Sequence, residues 1–135
     1  MKCVFCDIIT KKTPAHIVYE DGEVIVFLDK YPQTRGHLQM VPKTHCRWVY
    51  DLPDMGKFFT TAANIIRVII PILEADHVTL AAFGHEIQHA HLWIVPQYRR
   101  KSKISEFRRN KGSLEEVSQL LHTVLSVQRF KSSTD

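Results

Sequence analysis

The most informative stretch of the sequence is His89-Ala90-His91-Leu92-Trp93-Ile94-Val95-Pro96. On a β-strand, residues two positions apart lie on the same face, roughly 6.5–7 Å from each other. The spacing therefore predicts that His89, His91 and Trp93 line one surface, while the apolar residues between them pack into a core. Two imidazoles on a rigid strand suit a metal site or nucleophilic and acid–base chemistry, with a purely structural role as the alternative.

Outside this strand, the sequence alternates between strand and helix patterns. Apolar runs bounded by turn residues predict further strands at 24–28, 37–41 and 78–83. A 3.6-residue apolar spacing from Met55 to Leu73 predicts an amphipathic helix, and a similar spacing over 114–125 predicts a last helix. Strands, helix, strands and helix in this order indicate the α+β class, with an antiparallel sheet covered by one long helix and a C-terminal helix.

Length and composition place the chain among single globular domains. It has 135 residues, of which 44% are hydrophobic and 24% charged, which excludes disordered and low-complexity classes. The longest strongly apolar stretch, Ile65 to Leu73, is interrupted by Arg67 and Pro71 and is too short to span a bilayer, so we expect no membrane partner. Three cysteines and no apolar leader favour a reduced compartment, cytoplasmic or possibly nuclear.

The positive charge is concentrated in one segment. Residues 99–111 hold seven basic side chains and one acidic side chain, whereas the chain as a whole carries +4. This segment is either a solvated surface loop or a contact for phosphate, RNA or DNA. We expect one domain over residues 1–98, with 99–135 forming a basic segment and a helix that pack on it or extend it.

Cys3 and Cys6 have a Cys-x-x-Cys spacing, and His45 and His89 are candidate partners for them. Two thiolates and two neutral imidazoles complete the closed tetrahedral coordination typical of structural zinc. Unligated thiols are the alternative, and a redox pair is disfavoured because no strand precedes the motif. Cys46 is interpreted as a small buried hydrophobe instead of a ligand.

Two segments together resemble the histidine-triad (HIT) family. The first is Asp29-Lys30-Tyr31-Pro32-Gln33-Thr34-Arg35-Gly36-His37-Leu38-Gln39-Met40-Val41-Pro42-Lys43-Thr44-His45, and the second is the Gly-x-x-φ-x-His-φ-His run that ends at Pro96. The resemblance covers about residues 1–98. It implies a HIT-like fold and a nucleotide hydrolase or transferase, in which the middle histidine, His91, attacks an α-phosphorus. A nucleotidyl-histidine forms, and water or another acceptor resolves it.

The resemblance also implies roles for individual residues. Asp29 would bind the ribose hydroxyls, and His37 would lie in the phosphate region. One structural zinc per chain and a homodimer are further implications. The implied zinc ligands are Cys3, Cys6, His45 and His89.

Two departures from the family pattern bear on catalysis. Trp93 stands at the third triad position, where an indole can donate a hydrogen bond but cannot titrate, so acid catalysis there is lost. The loop before the motif lacks the family's phosphate-contacting Asn. His85 falls where Gln is common, and it is either a further donor of a proton or a solvated loop residue. The charge of Glu86 disfavours phosphate.

These observations leave three functions open. The first is hydrolysis or transfer at the α-phosphate of purine nucleotide conjugates. The second is a catalytically weak nucleotide-binding or scaffold protein with the HIT fold, and the third is processing of nucleic-acid ends guided by residues 99–111.

Overall fold

The structure, a computed structural model, describes residues 2–99 and 112–128. Apart from Arg99, the predicted basic segment lies outside these residues. In chain order the elements are α1 (Val4–Ile9), β1 (Ile17–Glu20), β2 (Val24–Leu28), β3 (Leu38–Pro42), a 3-10 turn (Val49–Asp51), α2 (Met55–Leu73), β4 (His77–Phe83), β5 (His91–Gln97) and α3 (Gly112–Ser126).

The strands form one antiparallel sheet in the order β1-β2-β3-β5-β4. The α+β class, with helices packed on an antiparallel sheet, is confirmed. One predicted boundary is wrong, because β5 begins at His91 and not at His89. The N–H of Ala90 donates to the carbonyl of Cys46, outside the β4–β5 ladder, so the chain joins the sheet only at the next residue.

The two longer helices cover one face of the sheet. The carboxylate of Asp54 accepts a hydrogen bond from the Lys57 N–H at 2.9 Å and caps α2, which runs over the predicted span. The apolar stripe of α2 packs against alternate residues of the strands, and α3 adds its own stripe to the same core. The buried residues of the two helices are Phe58, Ala62, Ile65, Ile69, Leu73, Val117, Leu121 and Leu125.

α1 and β1 were not predicted from the sequence. α1 lies on the other face of the sheet, where Phe5 and Ile8 pack against Ile25, Phe27 and Val41 in a second apolar cluster. α1 therefore packs on the face of the sheet opposite to α2 and α3. Six residues are too few to show a clear helical period in the sequence. A helix this short is stable only through its packing on the sheet.

α2 is long and apolar enough to span a membrane by length and composition, with a mean hydropathy of 1.4 over 18 of its residues. The apolar stretch considered in the sequence is only its second half. Core helices of soluble proteins meet the same criteria, and one face of α2 packs on the sheet.

Candidate functional site

The candidate site lies on the sheet face that α1 covers in part. His91 and Trp93 point to this face from β5, because they are two residues apart on one strand. In the register, Trp93 lies opposite Gln39 of β3, which in turn lies opposite Phe27 of β2. The site is therefore built on paired central strands, which hold its side chains rigidly.

The backbone fixes the proton of His91. Its Nδ1 lies 2.8 Å from the carbonyl oxygen of His89. Since a carbonyl only accepts, Nδ1 carries the proton, and the lone pair of the neutral ring is on Nε2. Burial lowers the pKa of His91 from its usual value, the hydrogen bond to His89 opposes this effect, and His85 lowers the pKa further. The ring is therefore held neutral in the tautomer that has a nucleophilic Nε2.

Aromatic rings flank His91 on two sides. The ring of Phe5 from α1 lies 4.9 Å from it, and that of Phe83 from the end of β4 lies 6.0 Å from it. His85 is exposed in the following loop, with its ring 6.2 Å from Phe83. The rings of the predicted donor His85 and of His91 thus both lie about 6 Å from the ring of Phe83.

Asp29 follows β2 and is held in place by two donors. Its Oδ1 accepts the N–H of Tyr31 at 2.8 Å, and its Oδ2 accepts the amide of Gln39 at 2.9 Å. A carboxylate has about four lone-pair positions, so about two remain for a ligand. The side chain is 13% exposed, which leaves it accessible at the surface of the site.

His37 is fully buried beside Asp29. Its Nδ1 accepts the N–H of Gln33 at 3.1 Å, so the proton is on Nε2, which lies 3.7 Å from Oδ2 of Asp29. This Nε2 has no hydrogen-bond partner among the described residues. Burial lowers the pKa of His37, although the charge of Asp29 opposes it. His37 therefore faces the carboxylate, and its contact with a phosphate stays a prediction.

Trp93 packs between two rings of the site. Its indole lies edge-on against His37 at 4.6 Å and against Phe83 at 5.0 Å. Trp93 is thus a bulky, half-buried hydrogen-bond donor, with no group that can exchange a proton near neutral pH.

A cavity of about 450 Å³ opens beside Asp29. Its walls are mostly apolar and come from α1, the segment before β1, β2 with the turn after it, and the loop before β5. This size and lining suit a planar heterocycle with a polar anchor at one side. The lining residues are Val4, Phe5, Ile8, Thr13, Pro14, Ala15, His16, Phe27, Leu28, Asp29, Lys30, Tyr31, Gln39 and Ile87.

The four predicted metal ligands form one cluster. One atom from each of Cys3, Cys6, His45 and His89 lies within 4.8 Å of the others. Nδ1 of His89 is 3.4 Å from Cys3 Sγ, and Nδ1 of His45 is 3.2 Å from Cys6 Sγ. Ligands at 2.0–2.3 Å in a tetrahedron are roughly 3.3–3.8 Å apart, so the donor set fits zinc.

The surroundings of the cluster also fit a metal. Nε2 of His89 donates to the carbonyl of Pro42 at 2.8 Å, which leaves Nδ1 free to coordinate, as ligating histidines commonly do. Burial and the neighbouring Cys3 raise the pKa of Cys6. A divalent cation is the group that would stabilise the Cys6 thiolate.

Sequence reasoning missed the residues that shape the cavity and hold its anchor. Gln39 follows His37 by two residues and so faces the same side, which is a signal that the strand pattern contained. Phe5 and Phe83 have no such signal, because their contacts with His91 arise from α1 and from the end of β4.

This chain is similar in sequence to proteins of one known family. A family model of the HIT domain matches residues 10–100. An uncharacterized HIT-like protein of Methanocaldococcus jannaschii is 32% identical over 85% of this chain and 95% of its own length. The adenosine 5'-monophosphoramidase HNT1 of Saccharomyces cerevisiae is 30% identical over 74% of this chain and 65% of its own length.

The fold has close counterparts among solved structures. The crystal structure of a Zn-bound histidine triad family protein from Mycobacterium smegmatis is 36% identical and superposes with a TM-score of 0.75. The match covers 93% of this chain and 94% of that one. The residues that the family model matches include the sheet, α2 and His91. This chain therefore belongs to the HIT domain family.

Proposed function

We propose that this HIT protein is a nucleotidyl hydrolase or transferase that acts at the α-phosphate of purine nucleotide conjugates, with His91 as the nucleophile. The observation that carries the proposal is the 2.8 Å contact between Nδ1 of His91 and the His89 carbonyl. It places the lone pair on Nε2, and burial keeps the ring neutral.

In this proposal the nucleoside occupies the cavity beside Asp29. The base lies between the apolar walls from Phe5 and Phe27, and the ribose hydroxyls donate to the free lone pairs of Asp29. Gln39 positions that carboxylate by its hydrogen bond, and the buried Nε2–H of His37 lies 3.7 Å from it. The phosphate then lies toward His91.

The chemical step makes one bond and breaks one. The Nε2 lone pair of His91 forms a bond to the α-phosphorus, and the bond from phosphorus to the leaving group breaks with its electron pair going to the leaving group. Water or another acceptor then attacks the same phosphorus, releases the nucleotide and restores the His91 lone pair. His85 is the candidate donor of the proton that a basic leaving group requires.

Trp93 makes this protein selective for leaving groups. An indole donates a hydrogen bond but no proton, so a basic amine leaves without help from this position. Acyl and phosphate leaving groups need no such proton. We therefore expect activated adenylates to react faster than phosphoramidates.

We further propose one structural zinc per chain, bound by Cys3, Cys6, His45 and His89. A zinc ion there would join α1 to the loop before β5 and supply no step of the reaction. Because Phe5 on α1 contacts His91 and lines the nucleoside cavity, this metal would also hold one wall of the cavity in place.

A second copy of this chain is the partner that we propose for β4. This strand lies at the edge of the sheet, pairs with β5 on one side and carries Leu80 at 44% exposure. Ile72 of α2 is 37% exposed. An edge that no described strand covers, beside exposed apolar residues, favours pairing with the same edge of another copy.

A nucleotide-binding protein without significant turnover is the second candidate. It is favoured by Trp93 at the third triad position and by the exposed carboxylate of Glu86 in the loop before β5. In this second candidate the cavity and Asp29 still bind the nucleotide, and only the nucleophilic attack by His91 is absent.

The rate of hydrolysis of an acyl adenylate tests the proposal. We expect turnover by the wild-type protein, none by His91→Ala and an unchanged rate for His122→Ala, which alters an exposed histidine on α3. An equal rate for wild type and His91→Ala would remove the nucleophile assignment. Binding of AMP without turnover of any substrate would favour the second candidate.

A further inference from the structure

Gln39 of β3 lines the cavity beside Asp29, and the two ends of its amide differ in their surroundings. Nε2 donates to Oδ2 of Asp29 at 2.9 Å. Because a carboxylate only accepts, this contact fixes which end of the amide faces Asp29. The other end, Oε1, is buried and has no hydrogen-bond partner among the described residues. The proposed reaction uses the Nε2 end of Gln39 and leaves Oε1 without a role.

A buried amide oxygen of this kind is a position for a donor. An acceptor that is removed from water without gaining a donor destabilises the protein, so nearly all buried polar atoms have a partner from protein, water or ligand. The Gln39 side chain borders the cavity, and the last torsion of a glutamine is soft. A small rotation of the amide therefore presents Oε1 to a group bound in the cavity.

The register of the sheet places Gln39 between the two ends of the candidate site. Gln39 lies opposite Phe27 of β2 and opposite Trp93 of β5. Directly opposite residues of antiparallel strands point to the same face, with Cβ atoms roughly 4.5–5.5 Å apart. The three side chains thus form a row from the cavity wall at Phe27 to the strand that carries His91. In a nucleotide the sugar lies between the base and the phosphate, so Gln39 has the position of the sugar in this row.

A second buried atom without a partner lies beside the same carboxylate oxygen. Nε2 of His37 is 3.7 Å from Oδ2 of Asp29, the oxygen that also binds Gln39. No described residue accepts a hydrogen bond from this Nε2. His37 thus offers a donor, whereas Asp29 and Gln39 offer acceptors. A hydroxyl group both donates and accepts, while an amino group of a base only donates, so hydroxyls match this part of the cavity best.

We infer that Gln39 is a specificity-determining residue, which accepts a hydrogen bond from one ribose hydroxyl at Oε1 while Asp29 accepts the other hydroxyl. This inference rests on the proposed function, because it assumes that the nucleoside occupies the cavity beside Asp29. It goes beyond that function in dividing the two hydroxyls between two side chains. A nucleotide that lacks either hydroxyl then leaves one of these acceptors unpaired and binds more weakly.

Calorimetry with AMP, 2′-deoxy-AMP and 3′-deoxy-AMP tests the inference. For the wild-type protein we expect each missing hydroxyl to weaken binding roughly tenfold. In Gln39→Leu the penalty for one of the two hydroxyls should disappear, and the penalty for the hydroxyl at Asp29 should remain. Gln97→Leu is the matched control, because it removes another glutamine amide of the sheet, one that donates to Thr79 on β4. This control should keep both penalties.

Gln39→Glu separates contact with the sugar from support of Asp29. At about pH 8 an ionised glutamate keeps an acceptor oxygen for the ribose but has no hydrogen to donate to Asp29. We therefore expect Gln39→Glu to keep both penalties, each measured against AMP binding by the same variant. If Gln39 acted only by holding Asp29 in place, Gln39→Glu would lose discrimination in the same way as Gln39→Leu.

Three results overturn the inference. Equal affinity of the wild-type protein for AMP and for either deoxy analogue shows that the corresponding hydroxyl is not bound. Unchanged penalties in Gln39→Leu, with AMP still bound through Asp29, show that Oε1 does not contact the sugar, and the proposed function then stands without this inference. If AMP does not bind to the wild-type protein at all, the proposed function fails and the inference with it.

Discussion

Nδ1 of His91 lies 2.8 Å from the carbonyl oxygen of His89, whose own Nδ1 lies 3.4 Å from Cys3 Sγ. His89 therefore belongs to two sites, because its carbonyl sets the tautomer of His91, the proposed nucleophile, while its ring belongs to the candidate metal cluster. The two candidate sites share one residue, so a change at either site is expected to affect the other.

Removal of the metal should loosen both α1 and the nucleoside cavity. We expect one zinc per chain, with an apparent binding free energy on the order of 10 kcal/mol at pH 7. Chelation or Cys6→Ser should lower the melting temperature and weaken AMP binding, because α1 supplies Phe5 to the cavity. Cys46→Ser, outside the cluster, is the control. Elemental analysis that finds well under one zinc per chain would contradict this prediction.

Asp29→Ala should weaken AMP binding by roughly tenfold to a hundredfold. The reason is that a hydrogen bond to a charged group contributes about 1.5–3 kcal/mol. Calorimetry with AMP measures the effect, and Glu116→Ala, which removes an exposed carboxylate on α3, should leave the affinity unchanged. Equal affinity for wild type and Asp29→Ala would refute the ribose assignment.

Trp93→His should accelerate hydrolysis of adenosine phosphoramidates at least tenfold and affect acyl adenylates much less. A titratable imidazole at this position can protonate the departing amine, and acid catalysis contributes about 10²–10⁴-fold. Since Trp93 packs on His37 and Phe83, AMP binding by the variant must be confirmed first. Equal acceleration of both substrate classes would argue against a proton-transfer role for this position.

The free energy of unfolding should fall as the pH is lowered below about 6.5. Burial lowers the pKa of His37 from 6.5 in the folded protein, despite the opposing charge of Asp29. The unfolded chain therefore binds the proton first, and the stability contributed by the neutral ring is present above pH 6.5 and lost below it. The slope from one histidine is at most about 1.4 kcal/mol per pH unit.

The test is urea unfolding at several pH values of the wild-type protein and His37→Asn, both loaded with zinc. Release of the metal in acid then affects both proteins alike. We expect a shallower acid slope for His37→Asn and an unchanged slope for His122→Asn, at an exposed position. Parallel slopes for wild type and His37→Asn would show that His37 does not contribute.

The sequence predicted most of the sheet and α2, because their apolar periods are long and their ends carry turn or capping residues. The start of β5 was misplaced because His89 continues the alternation of the strand. Its ring, however, is hydrogen-bonded to Pro42 at the end of β3, and the N–H of Ala90 is bonded to Cys46 after β3. Local periodicity contains no information about such partners 40 or more residues away.

The candidate site was predictable to the extent that its residues lie in sequence motifs. Cys3, Cys6, His45 and His89 converge as their types and spacings predicted. The burial of His37 under Trp93, and the walls contributed by Phe5 and Phe83, depend on packing between separate elements. The basic segment stays a prediction, since residues 100–111 lie outside the part of the chain that the structure describes.

A covalent intermediate on His91 is detectable by its mass. The wild-type protein is quenched rapidly during turnover of an acyl adenylate, and the intact mass and the mass of the peptide containing His91 are measured. We expect an added adenosine monophosphoryl group on His91, labile to acid and absent from His91→Ala. An unmodified His91 under conditions where the protein binds AMP and hydrolyses the substrate would contradict the account.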